Sequence, residues 1–166
     1  QSSMRSRLSR LAYMQKIHTY TERREDYKKR AKIDLKRSEY LKKRYRELTI
    51  KISRCRRALK RLDVIHDYLT KIDKVFQDLF EVKIHLNGGA RGQNSIFVKM
   101  FSKWCLEHNF IPYNIRLYMG IKINATIHNQ RKSITKLIVN DPDIRIKWNI
   151  LKEELILKQL HNFKQK

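Results

Sequence analysis

The sequence predicts an all-α protein: a long basic helix or helical hairpin, coiled-coil-like, followed by a compact helical unit. Three observations carry this. Residues 1–87 contain neither Gly nor Pro, whereas every Gly and Pro of the 166-residue chain falls after them. Apolar positions in that first stretch recur at alternating steps of four and three, the pattern of a helix burying one seam. Beyond it, short apolar-periodic segments are separated by Gly and Pro where helices stop and start. The division reads as 1–87 for the arm, 88–94 for a Gly-rich hinge and basic loop, and 95–166 for the compact unit.

In the arm the seam runs through Tyr13, Ile17, Tyr20, Arg24, Tyr27, Ala31, Asp34, Ser38, Leu41, Tyr45, Leu48, Ile52, Cys55, Leu59 and Leu62. Arg24, Asp34 and Ser38 interrupt it, so it is strong only from position 41 to 62. It then shifts phase and continues through Ile65, Leu69, Ile72, Phe76 and Leu79. Two successive three-residue steps resemble a stammer and predict overwinding or a bend near Asp63. Two architectures fit. One is a single helix pairing with a second copy as a homodimer. The other is an antiparallel hairpin turning at the polar interruption, positions 34–38. Thr19 followed by Glu22 resembles a capping box and predicts a separate short first helix.

Asn87-Gly88-Gly89 reads as a hinge where the backbone changes direction. Asn94 or Ser95 is a suitable cap for a helix to about His108, with Ile96, Phe97, Met100, Phe101, Trp104 and Cys105 inward. Pro112 opens a short helix ending at Met119, and Gly120 supplies a tight turn. Asn124 is placed to cap a third helix to about Val139, with Ile127, Ile134, Leu137 and Ile138 inward. Asp141-Pro142 starts a last helix bearing Ile144, Trp148, Leu151, Leu155 and Leu160. Two short helices joined by a Gly-bearing turn, the second amphipathic, form a helix-turn-helix pattern.

Charge narrows the partner. Lys and Arg number 39 against 16 acids, for a formal net charge of +23. That excess repels itself in a free compact protein and implies a polyanion, with nucleic acid the expected partner. Across residues 1–87 the bases outnumber the acids 25 to 11. The runs Lys28-Lys29-Arg30, Lys42-Lys43-Arg44 and 54–61 therefore predict phosphate contact by part of the arm. No apolar run reaches the roughly 18 residues of a membrane span, so no membrane partner is expected. The expected location is the cytoplasm of a bacterial or phage-infected cell, including its nucleoid, or a virion.

Candidates for catalysis are lacking. Cys55 and Cys105 form no metal-type pair, and the six histidines show no His-Glu-x-x-His spacing. No Gly-x4-Gly-Lys-Ser/Thr phosphate loop occurs. The chain is read as a non-enzyme without metal or cofactor. The residues expected to touch nucleic acid are Arg91, Lys122, Asn124, Thr126, His128, Asn129, Lys132 and Lys136. Asn reads an adenine edge with two hydrogen bonds, and Lys suits guanine or phosphate.

Residues 90–155 resemble the C-terminal DNA-binding domain of the bacterial replication initiator DnaA. That domain has a basic loop, a helix, a Leu-Pro-type helix start and a Gly-Gly-Arg-Asp-His-Thr-Thr-Val turn leading into the recognition helix. Here the matching pieces are Arg91-Gly92-Gln93-Asn94, Ile111-Pro112, Gly120-Ile121-Lys122-Ile123-Asn124-Ala125-Thr126-Ile127, Arg131-Lys132-Ser133-Ile134 and Asn140-Asp141-Pro142-Asp143. The resemblance implies a helix-turn-helix of the DnaA C-terminal or Trp-repressor-like type, with Arg91 as the minor-groove arginine. It also suggests a small replication accessory or regulator, and the small size of the chain with no initiator ATPase module points to a phage or mobile element as its origin. The family's base-reading Asp-His-Thr falls on Ile123, Asn124 and Ala125, and only Thr126 keeps its residue type. Ile123 cannot accept a hydrogen bond from cytosine, so the initiator's own recognition sequence is not the expected target. Arg116 replaces a usually small residue. Duplex DNA is thus the favoured partner. The alternative is a structural RNA-binding component of a ribonucleoprotein such as a ribosome.

Overall fold

A computed structural model describes residues 10–33 and 38–164. It contains α1 (Arg10–Ile33), α2 (Ser38–Phe80), α3 (Asn94–Glu107), α4 (Pro112–Met119), α5 (Asn124–Asn140) and α6 (Pro142–Leu157). Among the described residues there is no strand, and the chain is all-α as its periodicity predicts. It divides into two compact units, Gln1–Val64 and Ile65–Lys166, with α2 beginning in the first and ending in the second.

In the first unit the arm is a hairpin rather than a single helix. Arg10 Nε donates to Asp63 Oδ1 at 2.8 Å, Lys51 Nζ lies 5.6 Å from the Tyr20 ring centre, and Arg24 lies 5.5 Å from that of Tyr45. Partners in α2 move back along the chain as positions in α1 advance, so the helices run antiparallel. Ser38 opens α2. Asp34 and the rest of the expected turn, 34–37, lie outside the described residues. Leu41, Leu48 and Ile52 are buried, and Tyr45, Cys55, Leu59 and Leu62 half-buried. Tyr13, Ile17, Tyr20, Arg24, Tyr27 and Ala31 complete the seam from α1, all half-buried. The separate first helix predicted from Thr19 and Glu22 is not formed. α1 runs unbroken through Thr19, because Ile17 and Tyr20 pack on both sides of it and tertiary packing outweighs a local capping signal.

Arg24 is the weak point of this seam. Its Nε is buried with no hydrogen-bond partner. Arg24→Leu should therefore raise stability by about 1 kcal/mol, the order of the penalty for one unsatisfied buried donor. A denaturant titration checks the sign; a destabilised variant would mean that the cation–π contact with Tyr45 outweighs the orphaned donor.

In the second unit the core joins Leu69, Ile72, Val75 and Phe76 of α2 to Phe101 and Trp104 of α3, Ile115 and Met119 of α4, Ile127 and Ile134 of α5, and Trp148, Leu151 and Leu155 of α6. α2 does not break near Asp63. The phase shift after Leu62 instead marks a change of packing partner, from α1 to this core. The division between units accordingly falls after Val64 and not at Gly88.

The helix also ends at Phe80, earlier than its lack of Gly and Pro predicts. Glu81 takes a left-handed conformation (φ 57°) and its N–H reaches Gln77 O at 3.0 Å. The cause is Asp73, which is 2% exposed. Its carboxylate accepts from Ile84 N at 2.9 Å, His85 N at 3.0 Å and Tyr118 Oη at 2.6 Å. This lock turns the segment after α2 back along the helix and ties it to α4.

Gly88 is no free hinge. It is buried, and its N–H donates to Met119 O at 2.9 Å. A Cβ there would meet Ile121 Cγ1 at 2.5 Å and Met119 Cβ at 2.8 Å. Gly88→Val should cost about 1–3 kcal/mol through overpacking and disturb the α4–α5 turn; a melting curve coincident with that of the parent protein would contradict this.

Helix boundaries otherwise follow the prediction, with different N-caps for α3 and α5. Neither Asn94 nor Ser95 caps α3: the cap position is Gln93, without a side-chain bond, and Ser95 Oγ donates to Gly92 O. Gly120 ends α4 at φ 73°. Asp141 caps α6, accepting from Asp143 N and Ile144 N. Leu160 lies beyond the end of α6, buried beside Phe163 in the same core. Cys105 is buried and Cys55 half-buried, both free thiols.

Candidate nucleic-acid interface

The candidate interface is built on α5, and the inward face of that helix holds it in place. Ile127 and Ile134 are fully buried. Between them Gln130 accepts from buried Ser102 of α3 at 2.6 Å and donates to Gly88 O at 3.2 Å. Lys99 reaches Ser133 at 3.2 Å, and Lys103 reaches Thr135 at 3.0 Å. Arg145 of α6 closes the far end, its guanidinium donating to Ile138 O and Val139 O. Such a helix is held in both rotation and translation, as a recognition surface requires.

The turn into α5 is braced by Arg116. Its Nε donates to Asn124 Oδ1 at 2.8 Å, and its Nη1 to Ile121 O at 3.2 Å and Lys122 O at 3.3 Å, while the guanidinium lies 5.0 Å from the Tyr113 ring centre. Arg116 therefore satisfies carbonyls that the turn leaves unpaired. Asn124 is the first residue of α5, not its cap; Ile123 occupies the cap position.

The expected contact residues fall into three groups. His128, Asn129, Lys132 and Lys136 are exposed and share the face opposite Ile127 and Ile134. His128, Lys132 and Lys136 follow one another at four-residue steps, one helical turn apart. None of these four has a side-chain hydrogen bond or ion pair with a described residue. Asn124 is exposed but engaged by Arg116, and Thr126 is half-buried on the inward flank. Lys122 in the turn and Arg91 in the loop before α3 are exposed and unpaired. Of the acids close to α5, Glu107 is bonded by Lys103 at 2.6 Å and approached by Arg131 at 3.4 Å, and Asp141 at its C-terminal end accepts from Asp143 N and Ile144 N. The outward face is thus left cationic.

The bracing roles of Arg116 and Arg145 were not legible in the sequence. An arginine within reach of a helix terminus was the only available sign, and it does not tell a brace from a phosphate ligand.

Behind α4, His66, His85 and Tyr118 form an aromatic cluster with ring centres 4.8–5.6 Å apart. Burial, then His66 and Lys83, lower the pKa of His85 from its ordinary 6.5. The unfolded chain then binds a proton at a pH where the folded one does not. This contribution to stability is present above about pH 6.5 and is lost as pH falls below it. His85→Phe should flatten the stability profile between about pH 7 and pH 5; an unchanged slope would remove His85 from the balance.

Among the described residues no group of three or more His, Cys, Asp or Glu is placed to hold a metal ion. No helix there is long and apolar enough to cross a membrane. No protein-family model, curated protein or solved structure matches the chain.

Proposed function

We propose that the protein is a non-enzymatic DNA-binding protein in which α4, the Gly120 turn and α5 act as a helix-turn-helix and α5 enters the major groove. The observation that carries this is the outward row of His128, Asn129, Lys132 and Lys136. They are exposed and unpaired on a helix whose opposite face is pinned by Ile127, Ile134 and the Ser102–Gln130 bond. Arg91 and Lys122 flank it as phosphate or minor-groove contacts. The resemblance to the initiator's DNA-binding domain supports the same assignment, and with it a role as a small replication accessory or regulator; the small size of the chain is the ground for assigning it to a phage or mobile element.

The row divides into reader and anchor. Asn129→Ala should relax sequence preference at a cost of about 1–3 kcal/mol for a bidentate base contact. Lys132→Ala should weaken all sequences alike and lower the salt slope by about one unit. Selection of duplexes from a random pool, followed by titration of the two variants, tests this. Recovery of no preferred duplex would favour a second reading, a structural RNA-binding component of a ribonucleoprotein. One observation favours that alternative: Asn124 Oδ1 is occupied by Arg116, at a turn position matching the family's base-reading stretch. A competition between duplex DNA and folded RNA separates the two.

A further inference from the structure

The first unit carries a second charged surface, distinct from α5. On α2, Lys43, Arg46, Ile50, Arg54, Arg57 and Arg61 follow at steps of three, four, four, three and four. That spacing puts them in one row along the helix. The buried seam of the same helix passes through Leu41, Leu48 and Ile52. Ile50 and Arg54 stand two residues on either side of Ile52, close to half a turn away, so the row faces directly away from α1. All six residues are exposed.

The row is free of acid. No Asp or Glu occurs between Glu47 and Asp63. Glu47, which lies between Arg46 and Ile50, is paired with Arg44 at 3.1 Å, and Asp63, beyond the last residue of the row, with Arg10 at 2.8 Å, both cations standing outside the row. The five cations of the row have no hydrogen bond or ion pair with a described residue. α1 differs, because Glu22, Glu25 and Asp26 alternate with its exposed cations, and Asp26 binds Arg30 at 3.1 Å. The single-sign face is therefore a feature of α2 and not of the whole hairpin. Five like charges at helical spacing repel one another in the free protein, and nothing in the packing requires them.

We infer that this face of α2 is a phosphate-binding track that takes the backbone of a nucleic acid without reading its sequence. From Lys43 to Arg61 the row is about 27 Å long at 1.5 Å per residue. A rigid row with roughly one cation per helical turn suits a linear polymer of regular charge, and one strand of duplex presents about eight phosphates over that length. Anionic lipid fits less well. The apolar seam of α2 is covered by α1, which leaves Ile50 as the one large apolar side chain in the row and no apolar face to insert. Contact by guanidinium and ammonium groups to phosphate fixes position but carries no sequence information. The chain thus has two nucleic-acid surfaces, one in each compact unit.

The test uses the full chain with Arg54, Arg57 and Arg61 all replaced by Gln, a good helix former. The comparison variant is Lys132→Gln with Lys136→Gln. Affinity is measured against salt on duplex DNA and on double-stranded RNA of matching sequence. The triple variant should keep its helicity and lose about 2.7 units of salt slope on duplex DNA, 0.9 per cation, equally for every sequence. The polymer on which the loss is larger names the physiological backbone. Replacing the same three residues by Lys should restore the slope, since a track needs charge and not a fork. An unchanged slope on both polymers in a folded triple variant would overturn the inference, as would failure of the Lys variant to restore it. A silent α5 variant beside a sensitive α2 variant would instead leave the track standing and remove the α5 reading.

Discussion

Replacing Asp73 by Ala should destabilise the second unit by about 3–5 kcal/mol. The carboxylate is buried and accepts three hydrogen bonds, from Ile84 N, His85 N and Tyr118 Oη. Its removal leaves three donors without an acceptor in or near the core, at about 1–3 kcal/mol each and less where water can enter. Asp73→Asn keeps one carbonyl but turns an amide donor toward another donor, so it should fall between Ala and the parent protein. Tyr118→Phe removes one bond and should cost about 1 kcal/mol. Chemical denaturation of the three variants checks the order; an Asp73→Ala protein as stable as Tyr118→Phe would mean that Asp73 does not hold the turn after α2. The same site predicts an alkaline limb. Burial, then the bond to Asp73, raise the Tyr118 pKa above its ordinary 10.0. The unfolded chain therefore releases this proton first, and stability present below about pH 10 is lost as pH rises above it.

Ile52→Lys should open the hairpin of the first unit. Ile52 is 1% exposed and lies in the seam between the buried Leu48 and the half-buried Cys55. Truncation alone at such a site costs about 2–5 kcal/mol, and an unpaired ammonium adds its desolvation. The hairpin has little to offset this, because α1 supplies one isoleucine beside tyrosines, an alanine and an arginine to the seam and has no fully buried residue among those described. The expected result is loss of helical signal belonging to α1 and the start of α2, with the Trp104 and Trp148 environment in the second unit retained. If Ile52→Lys keeps its full helicity, the seam is not what holds α1 to α2.

The elements that sequence reasoning placed well are those whose ends carry their own chemistry. Pro112 and Gly120 bound α4, and Asp141-Pro142 starts α6 with a capped N-terminus. The end of α2 was hidden because it has neither Gly nor Pro. Glu81 takes the left-handed conformation usually left to Gly, and the determinant is a buried carboxylate about two turns upstream. Gly88 was misread for the converse reason: a Gly required by close packing against Ile121 looks the same in sequence as one required for flexibility. The phase shift after Leu62 was visible, but its meaning, a change of packing partner, depends on the tertiary fold. At the candidate interface, periodicity found the outward row of α5 because a helix held by Ile127 and Ile134 must present His128, Lys132 and Lys136 outward. It could not foresee that Arg116 would occupy Asn124, since the two meet only across a turn.

The central claim is that the cationic surface of this chain is a nucleic-acid surface, and the salt dependence of binding tests it most directly. Anisotropy of a labelled duplex, titrated with the full chain at stepped salt, gives log K against log salt. With six or more phosphate contacts shared between α5 and α2, the affinity should fall by about 10³-fold or more between roughly 50 and 200 mM salt, along a straight line, through counterion release. A flat line, or binding no stronger at low salt than at high, would contradict the account.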